Sequence, residues 1–448
     1  NLKKIKNRLY ERLINSTFFL DQSGPNYDDI FKAGITCYKN YAAIRILMSN
    51  RKQALGAGLA EKTYRISRKY EFTDLNYLLS SLLSIYYTSN FPNHKKKSKF
   101  KDLREYYFLA LKAEGDAELL YSEFNSRLSI SSSSLNAKEL NECQAIVDDL
   151  MEKQQIIKTL RFNLFTYLYI ANFYLETRRY EEIIDMMVEG LKFYSDKKFK
   201  SIDGEYFLKT RGGIASFMLK QYEKAEQLFR ENLLITSRTT LNWYATQKYL
   251  FSLKVIQKDY QSAYDITSIV LNSKNFEKNH PLIVQLFKIY EAYIHFLVEL
   301  GKIDPSKSDE RELRKFRLSR FLNDVPTYSK DKRGVNISIL VIQMILLVQN
   351  KKHGAVIDRL DALNMYSHRY LRSDNTFRSN CFIKMLAKLP DADYHPIRWQ
   401  RYVEKYRKRL DDHPFELSYH NLDLEVIPFE TLYDLVIEML EQQNGRKR

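Results

Sequence analysis

The middle of the chain repeats one phrase three times: Arg178-Arg179-Tyr180-Glu181-Glu182-Ile183, Lys220-Gln221-Tyr222-Glu223-Lys224-Ala225 and Lys258-Asp259-Tyr260-Gln261-Ser262-Ala263. Each phrase has a charged or polar pair, a tyrosine, two polar residues and a small or aliphatic residue. The tyrosines stand at positions 180, 222 and 260, so they are 42 and 38 residues apart. Such a period is typical of helical repeats rather than of a single globular core. Residues 159–272 are therefore predicted to form stacked helical hairpins.

Helical spacing surrounds these tyrosines. After the second one the apolar positions are Tyr222, Ala225, Leu228 and Phe229, which share one face of a helix. A small residue, Ala171 or Gly213, stands nine positions before the first and second tyrosines. The missing side chain at these two positions is expected to let the two helices of a hairpin approach closely.

These features resemble the tetratricopeptide repeat (TPR), which pairs a small residue on its first helix with an aromatic-x-x-Ala opening on its second. The best-matching unit runs from Gly212 to Phe229. The chain departs from the family in its periods, which exceed the usual length of about 34 residues. Phe251 and Thr267 replace the small residue and the later aromatic of the third unit, and Ile183 replaces the alanine of the first. The alternative to a repeat array is an irregular helical bundle.

The resemblance implies a right-handed α-solenoid whose first helices line a concave groove for a peptide or a partner helix. It also implies a non-enzymatic scaffold or adaptor. The candidate groove residues are the polar side chains between the apolar positions of the first helices. They are Asn163, Tyr167, Asn172, Lys209, Arg211, Lys248 and Lys254. Because the last four are basic, the predicted ligand is acidic or presents a carboxylate.

Composition favours an all-α fold inside a reducing compartment. The chain has 448 residues, of which 44% are hydrophobic and 28% charged, as in folded soluble proteins. No proline occurs between Pro92 and Pro281, and such a gap favours helices. Three widely spaced cysteines provide neither a disulfide framework nor zinc spacing. The longest apolar run, residues 337–348, is too short to span a bilayer. We therefore expect a cytoplasmic protein without a membrane span.

Four regions are predicted along the chain: N-terminal helical hairpins (1–128), a TPR-like core (137–303), a basic divergent helical region (304–410) and a C-terminal tail (411–448). At the start, Leu2, Ile5, Leu9 and Leu13 share one face of a helix, with basic residues elsewhere. Residues 90–97 are expected to be an exposed loop, and Gly301 to end a helix. In the tail, alternating apolar residues from Leu417 to Val426 predict a small β-hairpin before a final helix, 429–442.

No sequence signature of catalysis or of a cofactor is present. The phosphate-binding loop, H-E-x-x-H and G-x-S-x-G motifs are all absent. Gly56-Ala57-Gly58 lies in a helical pattern, where small residues at a helix crossing explain it better than a dinucleotide turn does. His395, His413 and His420 fit no metal-ligand spacing. The sequence therefore predicts no enzyme, no metal and no cofactor.

Charge provides the strongest signal beyond the fold. Residues 305–410 contain 23 basic and 11 acidic residues, a net charge of +12 out of +16 for the whole chain. The helix 398–409 puts Trp399, Tyr402, Val403, Tyr406 and the following Leu410 on one face. Either that face packs and the opposite cations are solvated, which we favour, or the cations bind phosphates. The candidate nucleic-acid-binding or ribosome-binding residues are Arg314, Lys315, Arg317, Arg320, Arg398, Arg401, Lys405 and Lys408.

Overall fold

A computed structural model describes residues 2–17, 29–130, 135–199, 201–325, 335–360, 377–417 and 425–445. The described residues form α-helices joined by short turns and contain no β-strand, so the predicted all-α class is confirmed. The helices before the first repeated phrase are α1 (Leu2–Thr17), α2 (Asp29–Ser49), α3 (Gln53–Lys69), α4 (Thr73–Ile85), α5 (His94–Ile130), α6 (Ala137–Ile156) and α7 (Leu160–Glu176). A single π-helical turn, Tyr86–Asn90, extends α4.

The remaining helices are α8 (Tyr180–Ser195), α9 (Ile202–Met218), α10 (Tyr222–Ile235), α11 (Leu241–Ile256), α12 (Tyr260–Leu271), α13 (Pro281–Glu299), α14 (Leu318–Asp324), α15 (Val335–Gln349), α16 (353–360), α17 (Phe377–Leu386), α18 (Pro396–Asp411) and α19 (Phe429–Gly445). Short 3-10 turns occur at Phe276–Lys278 and Pro305–Lys307. The chain divides into two compact units. Unit 1 contains Asn1–Ser129, Ser134–Glu176 and Val188–Glu205, and unit 2 contains Ile130–Ser133, Thr177–Met187 and Tyr206–Arg448.

The repeated phrase is a helix-ending turn. Its first residue has a left-handed backbone in all three copies, with φ of 58° at Arg178, 59° at Lys220 and 61° at Lys258, and its tyrosine begins the next helix. The Lys258 N–H donates to the Val255 carbonyl and the Asp259 N–H to that of Lys254. This pair of bonds is the Schellman arrangement, which satisfies the carbonyls at a helix end.

The same turn ends helices outside the three phrases. Left-handed residues occur at Arg51, Glu71, Gly301 and Lys351. Each of them, together with the residue after it, donates the same pair of backbone hydrogen bonds. Gly301 therefore ends α13, as predicted. Because the turn also follows α2, α3 and α15, the hairpin pattern extends well beyond residues 159–272.

Close approach of helices at a glycine is also confirmed. A Cβ atom placed on Gly213 of α9 would lie 2.6 Å from the Phe229 ring of α10, closer than real side chains allow. In unit 1 a Cβ on Gly56 would lie 2.8 Å from the Met48 side chain, so this glycine serves the α2–α3 crossing. Both contacts have the packing role that the sequence predicted.

The C-terminal helix closes unit 2. From α19, the Gln442 and Gln443 side chains donate to the backbone carbonyls of Leu300 and of Val348 and Gln349, at the ends of α13 and α15. Lys302 pairs with Glu438 at 2.8 Å. The last helix thus supplies additional hydrogen bonds to the C-terminal ends of two earlier helices.

The predicted β-hairpin is not supported. Residues 418–424 lie outside the described part of the chain, and the flanking Leu417 and residues 425–427 are not in strands. Glu425 instead pairs with Arg378 and accepts a hydrogen bond from the Phe429 N–H at the start of α19. Arg378 also pairs with Glu430 at 2.7 Å. This buried charge network fixes the segment before α19.

The predicted loop over residues 90–97 is wrong at its second half, because α5 begins at His94. The Asn93 side chain accepts a hydrogen bond from the Lys96 N–H at 3.0 Å, which is the role of a helix-capping residue. The basic run that follows is therefore helical and has a fixed position in unit 1.

Candidate functional site

Three of the predicted groove residues are interior residues. Asn163, Tyr167 and Asn172 are each less than a tenth exposed. The Asn163 amide donates to the Ile157 and Thr159 carbonyls, so it secures the start of α7. Burial raises the pKa of Tyr167 to about 12. These side chains cannot meet a ligand, because the helix face predicted to line a groove is covered by other parts of the protein.

The predicted basic groove residues are largely engaged within unit 2. Lys209 pairs with Glu231 at 2.9 Å. Lys254 pairs with Glu226 at 2.9 Å and with Asp259 at 3.3 Å. The two lysine side chains are only 14% and 11% exposed. Their charges are thus shared with neighbouring carboxylates, so this geometry does not favour the predicted binding of an acidic ligand by these lysines.

Arg211 and Lys248 lie against aromatic rings instead. The Arg211 guanidinium is 5.3 Å from the centre of the Phe207 ring, and the Lys248 ammonium is 5.6 Å from that of Tyr249. Both residues are half-buried. In such a cation–π contact the charged group lies against the ring, and the methylene stem of the side chain follows the apolar surface.

The predicted nucleic-acid-binding residues are all exposed in unit 2. On α18, Trp399 is fully buried and donates its indole N–H to the Met385 carbonyl at 2.8 Å. Val403 and Leu410 are also buried, which confirms the predicted packing face, whereas Tyr402 is 49% exposed and does not belong to it. The cations of the other face are solvated.

Several of those exposed cations have acidic neighbours. Arg398 pairs with Asp393 and Lys408 with Glu404. Arg320 pairs with Asp324 at 3.2 Å, and Lys405 lies over the Tyr406 ring. Arg314, Lys315 and Arg317 lie on the irregular stretch before α14, and Arg401 makes no ion pair with a described residue. None of these cations lines the cavity beside Arg238 and Arg311 in unit 2.

A site that the sequence did not predict lies in unit 1. It is a cleft of about 730 Å³, hereafter the basic cleft, formed by α3, the start of α5 and the residues after α8. Seven cations and three acids line it, a net charge of +4. The cations are Arg65, Arg68, Lys69, Lys96, Lys99, Lys197 and Lys198, the acids are Glu61, Glu71 and Asp196, and the aromatic residues are Tyr64 and Phe100.

Two lysines of the basic cleft are held by acidic residues. The Lys96 ammonium is 2.8 Å from Glu61 and donates to the Tyr87 hydroxyl at 3.0 Å. These two hydrogen bonds raise the pKa of Lys96. Lys197 is 2.8 Å from Glu71 and donates to the Lys158 carbonyl. Each lysine is therefore fixed in position, and its charge is shared with one carboxylate.

Other cations of the cleft remain available. Arg65 and Arg68 are exposed and make no ion pair with a described residue. They are three residues apart on α3, so they lie on one face of that helix. Lys198 is likewise exposed. Two guanidinium groups beside an open cleft provide planar donors that suit carboxylate or phosphate oxygens.

The aromatic residues form an apolar wall beside these cations. Tyr64 and Phe100 pack edge to face with their ring centres 5.7 Å apart, and both are buried. Burial raises the pKa of Tyr64, so its hydroxyl stays neutral. The cleft therefore combines fixed positive charge with a rigid aromatic base that is itself buried, an arrangement that suits an anion.

The sequence contained a signal for this site, but in scattered form. Arg65, Arg68 and Lys69, the run Lys95–Lys99, and Lys197 with Lys198 are three basic groups more than 25 residues apart. Only the packing of unit 1 brings them together. The count of charges along the sequence pointed to the C-terminal third instead, because the excess of basic residues there is contiguous in sequence.

Metal and membrane features add little. Within the described ranges, no three His, Cys, Asp or Glu side chains lie close enough to hold a metal ion; His420 lies outside those ranges.

By length and composition alone, α13 would suffice to cross a membrane. Phe287, Tyr290 and Tyr293 of α13 are nevertheless buried within unit 2, as in a core helix.

Comparison with known proteins adds no relative to this description. No protein-family model, no curated protein and no solved structure matches the chain.

Proposed function

We propose that this chain is a non-enzymatic, cytoplasmic adaptor built as a right-handed α-solenoid of TPR-like hairpins. Three features support the solenoid: the recurring left-handed turn, the tyrosine that opens the next helix, and the contact of Gly213 with Phe229. Arrays of this kind offer rigid surfaces to which partners bind through many small contacts.

We propose further that the partner presents an acidic segment to the basic cleft, without any cofactor. The observation that carries this proposal is the pair Arg65 and Arg68, which are exposed, make no ion pair with a described residue and lie beside the buried rings of Tyr64 and Phe100. An extended chain with carboxylates or phosphates would meet the two guanidinium groups, and the buried rings behind them would give the cleft a rigid base. This assignment replaces the groove residues of α7, α9 and α11, which are buried, ion-paired or half-buried against aromatic rings.

A binding measurement with the full chain tests the proposal. The probe is a fluorescein-labelled hexaglutamate peptide, and its neutral counterpart is hexaglutamine. Binding is read by fluorescence anisotropy at about 0.1 M salt, where the Debye length is about 10 Å. We expect the acidic peptide to bind at least about tenfold more tightly. The substitution Arg65→Gln with Arg68→Gln should weaken its binding by about 10- to 100-fold, since each charge-assisted bond contributes about 1.5 kcal/mol.

The matched control is Lys52→Gln with Lys112→Gln, which removes the same charge from exposed positions of unit 1 outside the cleft. It should change the affinity by no more than about twofold, because exposed distant charges are screened. Equal losses in the two variants would mean that only net charge matters, and the cleft would then not be the binding site.

A second candidate function is binding of RNA, DNA or the ribosome through the C-terminal third. The observation that favours it is the exposure of all eight predicted cations of unit 2. It predicts that a labelled single-stranded oligonucleotide binds with a steep loss of affinity as salt rises, because phosphate contacts release counterions. The substitutions Arg398→Gln, Arg401→Gln and Lys405→Gln would then reduce binding, whereas those at Arg65 and Arg68 would not.

A further inference from the structure

The first helix, α1, presents an apolar stripe that no described residue covers. None of its 16 residues is buried. Leu2, Ile5, Leu9 and Leu13 are 83%, 63%, 56% and 56% exposed. At 100° per residue these four side chains fall within about 80° of the helix circumference. A continuous exposed stripe of large aliphatic residues is a surface that requires an occupant.

The charges of α1 indicate which occupant fits. The helix contains Lys3, Lys4, Lys6, Arg8 and Arg12 against the single acid Glu11, a net charge of +4. Lys6 and Arg12 lie at the two borders of the apolar stripe, on opposite sides. Long basic side chains in this position keep their charges in water while their methylene stems follow the apolar surface.

We propose that α1 is an interfacial helix that lies in the plane of an anionic lipid surface. Its apolar stripe enters the boundary between head groups and acyl chains, and its border cations meet the lipid phosphates and carboxylates. The helix is about 24 Å long at 1.5 Å per residue, enough for three turns of the stripe to lie flat. A second copy of the chain fits this face less well, because pairing two stripes would bring like charges together.

This binding mode is separate from that of the basic cleft, whose residues lie on α3, α5 and the turn after α8. Loss of either function therefore leaves the other measurable in the same preparation. An adaptor with both would hold an acidic partner near a membrane surface without spanning it.

Co-sedimentation of the full chain with vesicles tests this inference. One set of vesicles is phosphatidylcholine alone, and the other contains phosphatidylserine at a mole fraction of about 0.3. We expect binding to the anionic vesicles at least about tenfold tighter, because each cation near a charged leaflet contributes favourably. Since the whole chain carries +16, this preference alone does not identify α1.

A pair of charge-neutral variants identifies the helix. Ile5→Ser with Leu9→Ser removes two residues of the stripe, and Asn7→Ser with Asn15→Ser alters two polar residues outside it. All four positions are exposed, so neither variant disturbs a core. The first variant should bind anionic vesicles about tenfold or more weakly than the unmodified chain, and the second within about twofold, because only apolar area inserts into lipid.

Two results would overturn the inference. One is unchanged vesicle binding by the Ile5→Ser and Leu9→Ser variant, which would assign membrane attraction to other cations. The other is a concentration-dependent oligomer in mass photometry that this variant dissociates, which would make a second copy the occupant of the stripe.

Discussion

The lysines of α9 and α11 and the arginines of α3 are all basic residues on the helices of hairpins, yet their surroundings differ. In unit 2, Lys209 and Lys254 each face a carboxylate at 2.9 Å and are largely covered. In unit 1, Arg65 and Arg68 are exposed at the edge of a cleft and make no ion pair with a described residue. We therefore expect the paired lysines to contribute to stability and the exposed arginines to contribute to the proposed binding.

From this difference we infer that a cation on a hairpin helix is available to a ligand only when no carboxylate on a neighbouring helix lies close to it. Glu231 and Glu226 both belong to α10, which lies between α9 and α11 in the sequence of hairpins. Hydrogen bonding from Lys209 lowers the pKa of Glu231, so the pair is charged on both sides. Substitutions of paired cations should therefore change stability, and substitutions of free ones should change affinity.

The most deeply paired cation should give the largest effect on stability. Replacing Arg378 by methionine leaves Glu425 and Glu430 beside an apolar group, and breaking such a buried network costs about 3–5 kcal/mol. The free energy of unfolding, measured by urea denaturation followed by circular dichroism, should fall by that amount.

The control for Arg378→Met is Arg401→Met, at an exposed position without an ion pair in the described residues, which should change stability by less than about 0.5 kcal/mol. Adding Glu425→Gln and Glu430→Gln to Arg378→Met should restore part of the loss, because the uncompensated charges disappear. Similar stabilities of Arg378→Met and Arg401→Met would remove the distinction between paired and free cations.

The second effect concerns the lysines of unit 2. The double substitution Lys209→Met and Lys254→Met should lower the free energy of unfolding by about 2 kcal/mol, since each half-buried pair contributes about 1 kcal/mol. Its affinity for the hexaglutamate peptide should equal that of the unmodified chain within about twofold. A tenfold weaker affinity in a variant that remains folded would restore the groove originally predicted for these residues.

The smallest expected effect concerns the contact between α9 and α10, the two helices that carry Lys209 and Glu231. Gly213 and Lys209 lie one turn apart on α9, facing Phe229 and Glu231 of α10. In Gly213→Ala the new methyl group would meet the Phe229 ring, and overpacking costs about 1–3 kcal/mol. After the gain of about 0.5–1 kcal/mol from helix propensity, we expect a net loss of about 1 kcal/mol in thermal or urea unfolding.

Gly58→Ala is the matched control, because a Cβ there meets no atom within 4 Å. It should stabilise unit 1 by about 0.5–1 kcal/mol. If both alanine variants gained stability, the close approach of α9 and α10 would not be a requirement of the hairpin.

Local pattern accounts for most of the elements that were predicted correctly. The helices that begin at Tyr222 and Tyr260, the helix end at Gly301 and the buried face of Trp399 all depend on residues within one or two helical turns. The error at residues 90–97 arose because a run of lysines resembles a loop, whereas Asn93 caps a helix there. The unsupported hairpin arose because alternating apolar residues were assigned to strands, while Glu425 is drawn inward by Arg378.

The sequence by itself determined the all-α class, the positions of the repeated turns and the small residue at the α9–α10 contact, because these follow from backbone preferences and spacing along one chain. Only the tertiary structure decided which charges are available. Whether a lysine meets a glutamate depends on the side chain opposite it on another helix, often many residues away. The same packing gathered Arg65, Arg68, Lys96 and Lys197 around one cleft, although they come from three separate parts of the chain.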